Sequence, residues 1–252
     1  MYELTLVNSI ALLLAGVAAG FINTVAGGGS MLTLPALMLL GMPADIANAT
    51  NRVGVMFQSI TGLTGFHRQN KLDTGSMVSI VVPTLIGAAV GAGLAAWLPA
   101  EVLKPVLLGS MMIMALVMVI RPSTMRPSGD HVRSVSSHPQ SVLMLFLAGV
   151  YGGFVQAGVG FMLLAALAGG LRYDLVRANA LKILCTGAFT LVALGIFIWN
   201  DLVLWVPGLI LAFGCSLGAH FSVKFAVSAS QKTLGWILFT MVVLVCGAAW
   251  LS

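Results

Sequence analysis

Residues 20–52 read GFINTVAGGGSMLTLPALMLLGMPADIANATNR. One apolar run gives way to three consecutive glycines, Gly27, Gly28 and Gly29, and a second, shorter run carries Pro35. A little further on, Asn48, Thr50, Asn51 and Arg52 stand at the head of the next apolar stretch. In a soluble loop such punctuation is ordinary. Here it lies in a chain of 252 residues that is 59% hydrophobic and 8% charged, with a mean hydropathy of +1.05. A soluble fold of that size needs more polar surface, so the chain reads as a polytopic membrane protein. Its apolar runs do not alternate as barrel strands would, and many approach the roughly 20 residues a spanning helix needs, so the fold is all-α. Lipid tolerates broken backbone only where it is buried in protein or lines a cavity. The break at Gly27–Gly29 is therefore the place to look for function.

Working outward, apolar segments fall at about 4–22, 31–41, 46–66, 75–98 and 102–120, then at 141–159, 161–171, 178–199, 203–222 and 233–251. The polar, Pro/Ser-rich stretch 121–140 separates the two sets. The halves echo each other. AGVAAGFINTVAGG (15–28) aligns with AGVYGGFVQAGVGF (148–161), which matches Asn23 to Gln156 and Gly27 to Gly160. Ala47-Asn48-Ala49 meets Ala178-Asn179-Ala180, and the Gly87/Gly91 pair meets Gly214/Gly218. This predicts an internal duplication, with a first repeat over 1–120, a linker over 121–140 and a second repeat over 141–252. Each repeat is expected to hold a broken or re-entrant hairpin followed by three transmembrane helices.

Basic residues orient the halves. Placing Arg68 with Lys71, the linker arginines, and Lys224 with Lys232 on the cytoplasmic side requires an odd number of crossings per repeat. The repeats are then inverted, the linker is cytoplasmic and both termini face outward. The leading segment has no basic n-region and is read as part of the mature protein. The net charge of +5 sits in loops and reports topology, so no nucleic-acid partner is implied. The three cysteines lie in separate apolar segments without a metal-ligand spacing; neither a metal nor a cofactor is implied.

The glycine triplet opens a short helix with Ser30 at its mouth, where unpaired N–H groups and the positive helix end favour an anion. Gly158 and Gly160 offer a second, looser mouth. Asn23 and Gln156, just before each break, supply amides that can donate to an oxyanion or tie the hairpin tip together. Asn48 and its neighbours stand where helix caps are common. Arg52 and Lys182 lie further into apolar sequence; they either snorkel to the interface or line an aqueous path and attract an anion. The Gly87/Gly91 and Gly214/Gly218 pairs suit close helix packing.

The hairpin motif GFINTVAGGGSMLTLPAL, followed by GMPADIANATN and a degenerate second copy, resembles the TauE/SafE sulfite exporter family of bacterial inner-membrane permeases. The resemblance covers nearly the whole chain. It implies transport of sulfite, sulfoacetate or related sulfur-containing organic anions, and points to Asn23, Gly27 to Ser30, Asn48, Thr50, Asn51, Gln156, Gly158, Gly160 and Asn179. The second half departs from the first in lacking a glycine triplet and a match to Pro35. The expected partners are a small anion and the bilayer, with self-association into a homo-oligomer left open. Two rivals remain. A passive anion channel would use the same groups with an open pore. An intramembrane serine hydrolase would pair Ser30 with His220, but Met31 follows Ser30 where a glycine would serve, and the second break has no counterpart to the pair.

Overall fold

The computed structural model describes residues 4–25, 27–73, 75–120, 132–135 and 138–228, side chains of 115–120 excepted. Most of the linker, the final apolar segment 233–251, Lys232, Cys246 and both chain ends lie outside the described residues.

The described chain is all-helical. Helix α1 (Leu6–Val25) stops at the glycine triplet, and α2 (Ser30–Leu39) restarts after it. At a rise of about 1.5 Å per residue, α2 reaches roughly half-way across a bilayer. The turn is possible because Gly27 takes φ 111°, a conformation that favours residues without a Cβ. Gly41, also at positive φ, hands the chain to α3 (Ala44–Arg68). Helices α4 (Met77–Trp97) and α5 (Ala100–Ile120) follow. A second broken pair is formed by α6 (Pro139–Phe154) and α7 (Val159–Leu164), which winds on as a π-helix over Ala165–Gly170. Its turn places Gln156 and Gly158 at φ 68° and 80°. Helices α8 (Leu175–Trp199) and α9 (Trp205–Ser228) complete the described fold.

Four described helices are long and apolar enough to cross a membrane: α1, α4, α8 and α9. The protein is a multi-pass membrane protein, and its outer surface fits that solvent. Leu14, Ile86, Leu191 and Phe213 are all well exposed, as lipid-facing residues should be.

Helix α1 packs along α9, α6 along α4, and α3 and α8 lie between them. Small residues set how close these pairs come. A Cβ added at Gly16 would meet the Leu211 carbonyl at 3.1 Å, and one at Gly218 would meet Phe21 N at 2.7 Å and strike the Val17 carbonyl. The α6–α4 pair repeats the arrangement: Gly149 lies over Thr84, and Gly91 over the Val150 carbonyl and Phe154 N. Without a hydrophobic drive between helices in lipid, such backbone proximity supplies dispersion that larger residues would prevent. Cys185 and Cys215 are buried free thiols.

Gly218→Leu should therefore force α1 and α9 apart and destabilise the protein by about 1–3 kcal/mol, the usual range for overpacking. Gly93→Leu, at a glycine whose Cβ would enter open space, should leave the thermal midpoint of the detergent-purified protein near wild type.

Candidate functional site

A helix that ends inside a membrane leaves its last carbonyls without intrahelical partners. In α1 those include Asn23 and Thr24. Lys182 of α8 reaches them: its Nζ donates to Asn23 O at 2.8 Å and Thr24 O at 3.0 Å, and to Asn179 Oδ1 at 2.7 Å. An ammonium has three protons, and here each has an acceptor. The end of α6 is treated alike. Arg52 of α3 donates from one guanidinium nitrogen to the Gly152 carbonyl and from the other to Gly153 O at 2.7 Å. Asn48 Nδ2 donates to Phe154 O at 2.8 Å, so three successive carbonyls are satisfied. The guanidinium also lies 5.4 Å from the Phe197 ring centre.

Both cations are essentially fully buried, Arg52 at 0% and Lys182 at 1% exposure. Neither snorkels to the interface. Asn48 and Asn51 do not cap α3 either, because α3 begins at Ala44, a full turn earlier, after Pro43. The polar run lies inside the helix and its side chains cross to other elements. Helix α8, by contrast, is capped by Asp174, which accepts from Val176 N and Arg177 N.

At the mouth of α2, Asn51 Nδ2 donates to Ser30 Oγ at 3.1 Å, and Thr33 Oγ1 donates to Asn51 Oδ1 at 2.6 Å. The amides of Met31, Leu32 and Thr33 turn back onto the Gly28 and Gly29 carbonyls. Asn23 Nδ2 donates to Gln58 Oε1 at 3.2 Å, and Gln156 Nε2 donates to Thr190 Oγ1 at 2.9 Å. Tyr151 braces the second tip by donating to Ala157 O at 2.7 Å. The two tips touch: a Cβ at Gly27 would meet Gly160 Cα at 2.6 Å, and one at Gly28 would meet the Phe161 ring at 2.9 Å. Gly158 is covered by Met31 and Met114. The glycines thus let two backbones close on one another in the interior.

Of the residues singled out in the sequence, this arrangement gathers Asn23, Gly27 to Ser30, Asn48, Asn51, Arg52, Gln156, Gly158, Gly160, Asn179 and Lys182 around the two broken ends. Thr50 turns away, accepting from Leu204 N in the α8–α9 loop. Gln58 and Thr190 belong to the constellation and carry no motif, their only signal being a polar residue in an apolar run; Thr33 also belongs and lies within the hairpin motif, though nothing in its spacing marks it. His220 is exposed on α9 against Phe221, and it shares no hydrogen bond with the buried Ser30. An apolar groove of about 500 Å3 between α1 and α9, lined by Leu13, Leu209 and Phe213 among others, opens toward lipid and offers almost no polar group.

The family described as sulfite exporter TauE/SafE matches residues 12–249, which takes in both broken ends and every residue of the constellation. The chain belongs to the TauE/SafE family. It is similar to the probable membrane transporter protein ORF9 of a Sinorhizobium species, at 30% identity over 88% of this chain and 85% of that protein. It resembles the probable membrane transporter protein YfcA of Escherichia coli K12 at 28% identity, over 86% and 80% of the two chains. A probable membrane transporter of Haemophilus influenzae is 26% identical over 87% and 85%. No solved structure matches the chain. As a TauE/SafE protein this chain is a membrane permease and not an enzyme.

The cation caps predict a stability effect. Arg52→Met should strand the Gly152 and Gly153 carbonyls in an apolar interior, each costing about 1–3 kcal/mol. The expected outcome is a marked fall in the yield of monodisperse protein on fluorescence-detected size exclusion, which Arg172→Met in the α7–α8 loop should not reproduce.

Proposed function

We propose that this TauE/SafE protein is a secondary transporter of the bacterial inner membrane that moves a small anion: sulfite, an organosulfonate or a related sulfur-containing anion. The anion would bind at the midplane between the two hairpin tips. Amides at Gly28 to Ser30 and Gly158 to Gly160 would contact it, Asn23, Asn51 and Gln156 would orient it, and Arg52 and Lys182 would supply the attraction.

The observation that carries this reading is the charge of the interior. Arg52 and Lys182 are buried, and neither is ion-paired to a described residue; the described ion pair, Arg177–Asp174, is exposed. No described carboxylate is buried: Asp45, Asp73 and Asp174 are part-buried, and Glu101 and Asp201 are exposed. A buried charge without a counter-ion costs several kcal/mol. Helix C-termini offset about half an elementary charge each, so the interior between the broken ends stays positive. Such a site favours an anion and repels a cation.

The contacts also support two inverted repeats, over 1–120 and 141–252 with the linker 121–140 between them. Gly16, Gly20, Gly214 and Gly218 pack as Gly149, Gly153, Gly87 and Gly91 do. The matched helices α3 and α8 run antiparallel, since Ser59 lies at Gly187 while Gly62 lies at Ile183. Tyr173 donates to Asp73 Oδ2, and Arg133 N to Leu171 O. These bonds bring the α3–α4 loop, the linker end and the α7–α8 loop to one side with Arg68, Lys71, Arg133, Arg172 and Arg177, which the positive-inside rule makes cytoplasmic. Tips closed glycine on glycine favour alternating access over an open pore.

In proteoliposomes, uptake of radiolabelled sulfite or sulfoacetate should saturate and show counterflow. Ser30→Asp should abolish uptake while insertion remains normal. Unsaturable flux would indicate a channel, and undiminished uptake by Ser30→Asp would remove the anion from the α2 mouth.

A further inference from the structure

The two broken ends are related by the repeat, but they do not present the same chemistry. Asn48 and Asn179 occupy matched positions, and their partners turn them in opposite directions. The Phe154 carbonyl can only accept, so it fixes the Asn48 amide nitrogen and leaves Asn48 Oδ1 buried and unpartnered. The Lys182 ammonium can only donate, so it fixes Asn179 Oδ1 and leaves Asn179 Nδ2 buried and unpartnered. The neighbouring amides extend the contrast. Gln58 accepts from Asn23 and keeps a buried, free Nε2, whereas Gln156 donates to Thr190 and keeps a buried, free Oε1.

Asn23 links the donor side together. Its carbonyl accepts from Lys182 and its amide donates to Gln58, while Lys182 also holds Asn179. One cation and two free amide donors are thus chained by bonds of 2.7 to 3.2 Å at the end of α1. Gln58 and Asn179 are 1% and 0% exposed, and Lys182, being saturated, serves as a fixed positive charge. On the α6 side, Arg52 Nε is also free, but it shares its surroundings with the two unpartnered acceptors Asn48 Oδ1 and Gln156 Oε1. Oxygen lone pairs repel an oxyanion; free N–H groups beside a cation bind one.

The geometry points to a single, one-sided anion site: the oxyanion head docks on Gln58 Nε2 and Asn179 Nδ2 against Lys182, behind the first hairpin, and not symmetrically between the two tips. This rests on the anion reading above but moves the oxyanion head from the tip amides to the α1 end, adding Gln58 as a specificity-determining residue.

The test uses full-length purified protein and titrates methanesulfonate, sulfoacetate and sulfite while following thermal unfolding, since a ligand stabilises in proportion to its occupancy. Asn179→Asp keeps the acceptor for Lys182 but replaces the free donor by a carboxylate. Gln58→Glu keeps the acceptor for Asn23 and does the same. Both should weaken the apparent anion affinity at least tenfold while the unliganded midpoint stays close to wild type. Gln69→Glu, an equal charge at an exposed position, should bind as wild type does. If either variant folds poorly, the side-chain amide NMR signals of Asn179 and Gln58 in 15N-labelled wild-type protein supply the answer, because both should shift on adding the anion. Wild-type affinity in both variants, or unmoved amide signals in the presence of a stabilising anion, would overturn the one-sided site and leave the anion reading standing. No stabilisation of wild type by any of the three anions would overturn both.

Discussion

The structure depends on how a membrane protein satisfies a helix it has cut in half. Hydrocarbon offers no hydrogen bonds, so each carbonyl exposed by a break must be met from within the protein. Here the solution is reciprocal. The end of α1 is met by Lys182 from the second half, and the end of α6 by Arg52 and Asn48 from the first. Each half of the chain completes the other's broken hairpin, so neither hairpin is satisfied without the other half. The same bonds place two cations deep in the interior with no described carboxylate paired to them. The positive character of the interior thus follows from a backbone requirement.

Glycine has two separate duties in this framework. Along α1, α4, α6 and α9 it allows helix backbones to approach until a Cβ would collide with a carbonyl on the neighbour. At Gly27 and Gly158 it allows the chain to take positive φ and turn back. The glycine triplet also fills a packing role beyond its turn. Gly27 rests on Gly160, Gly28 on Phe161, and Gly29 on Asn23 and the Ala19 carbonyl. A side chain at any of the three would hold the tips apart or distort the hairpin. The motif therefore encodes a closed contact as much as it encodes exposed amides.

Much of this was legible in the sequence. Composition gave the membrane class, and the glycine-rich breaks gave both hairpins; most segment edges fall within three residues of the described helices, but α6 stops at Phe154 and α9 runs on to Ser228. Asn23, Asn48, Asn51, Gln156 and Asn179 stood out because polar side chains in apolar runs are costly unless partnered. What the sequence could not supply was the partner. Arg52 and Lys182 look alike in a one-dimensional reading, as cations a few residues into a span, and snorkelling was a sound alternative for both. The choice is made by carbonyls about a hundred residues away or more, which no local pattern reveals. Gln58 was passed over for the same reason, since a lone glutamine in VGVMFQSITG has no spacing to mark it. Thr50, which the motif includes, binds the α8–α9 loop instead.

The reciprocal caps also limit how such a protein can move. Any rearrangement that separates Gly27 from Gly160 while keeping Lys182 on α1 and Arg52 and Asn48 on α6 leaves the Asn23, Thr24, Gly152, Gly153 and Phe154 carbonyls satisfied. One that pulls α1 from α8 strands two carbonyls and an ammonium in an apolar interior, at a cost of several kcal/mol unless water or an anion takes their place. The tips meet through glycine, methionine and Phe161 contacts, none of which is a hydrogen bond. The weakest joint in the centre of the molecule is accordingly the one between the tips, and the strongest are the caps behind them. A permease built in this way can part its tips while Arg52 and Lys182 stay fixed to the helix ends they cap.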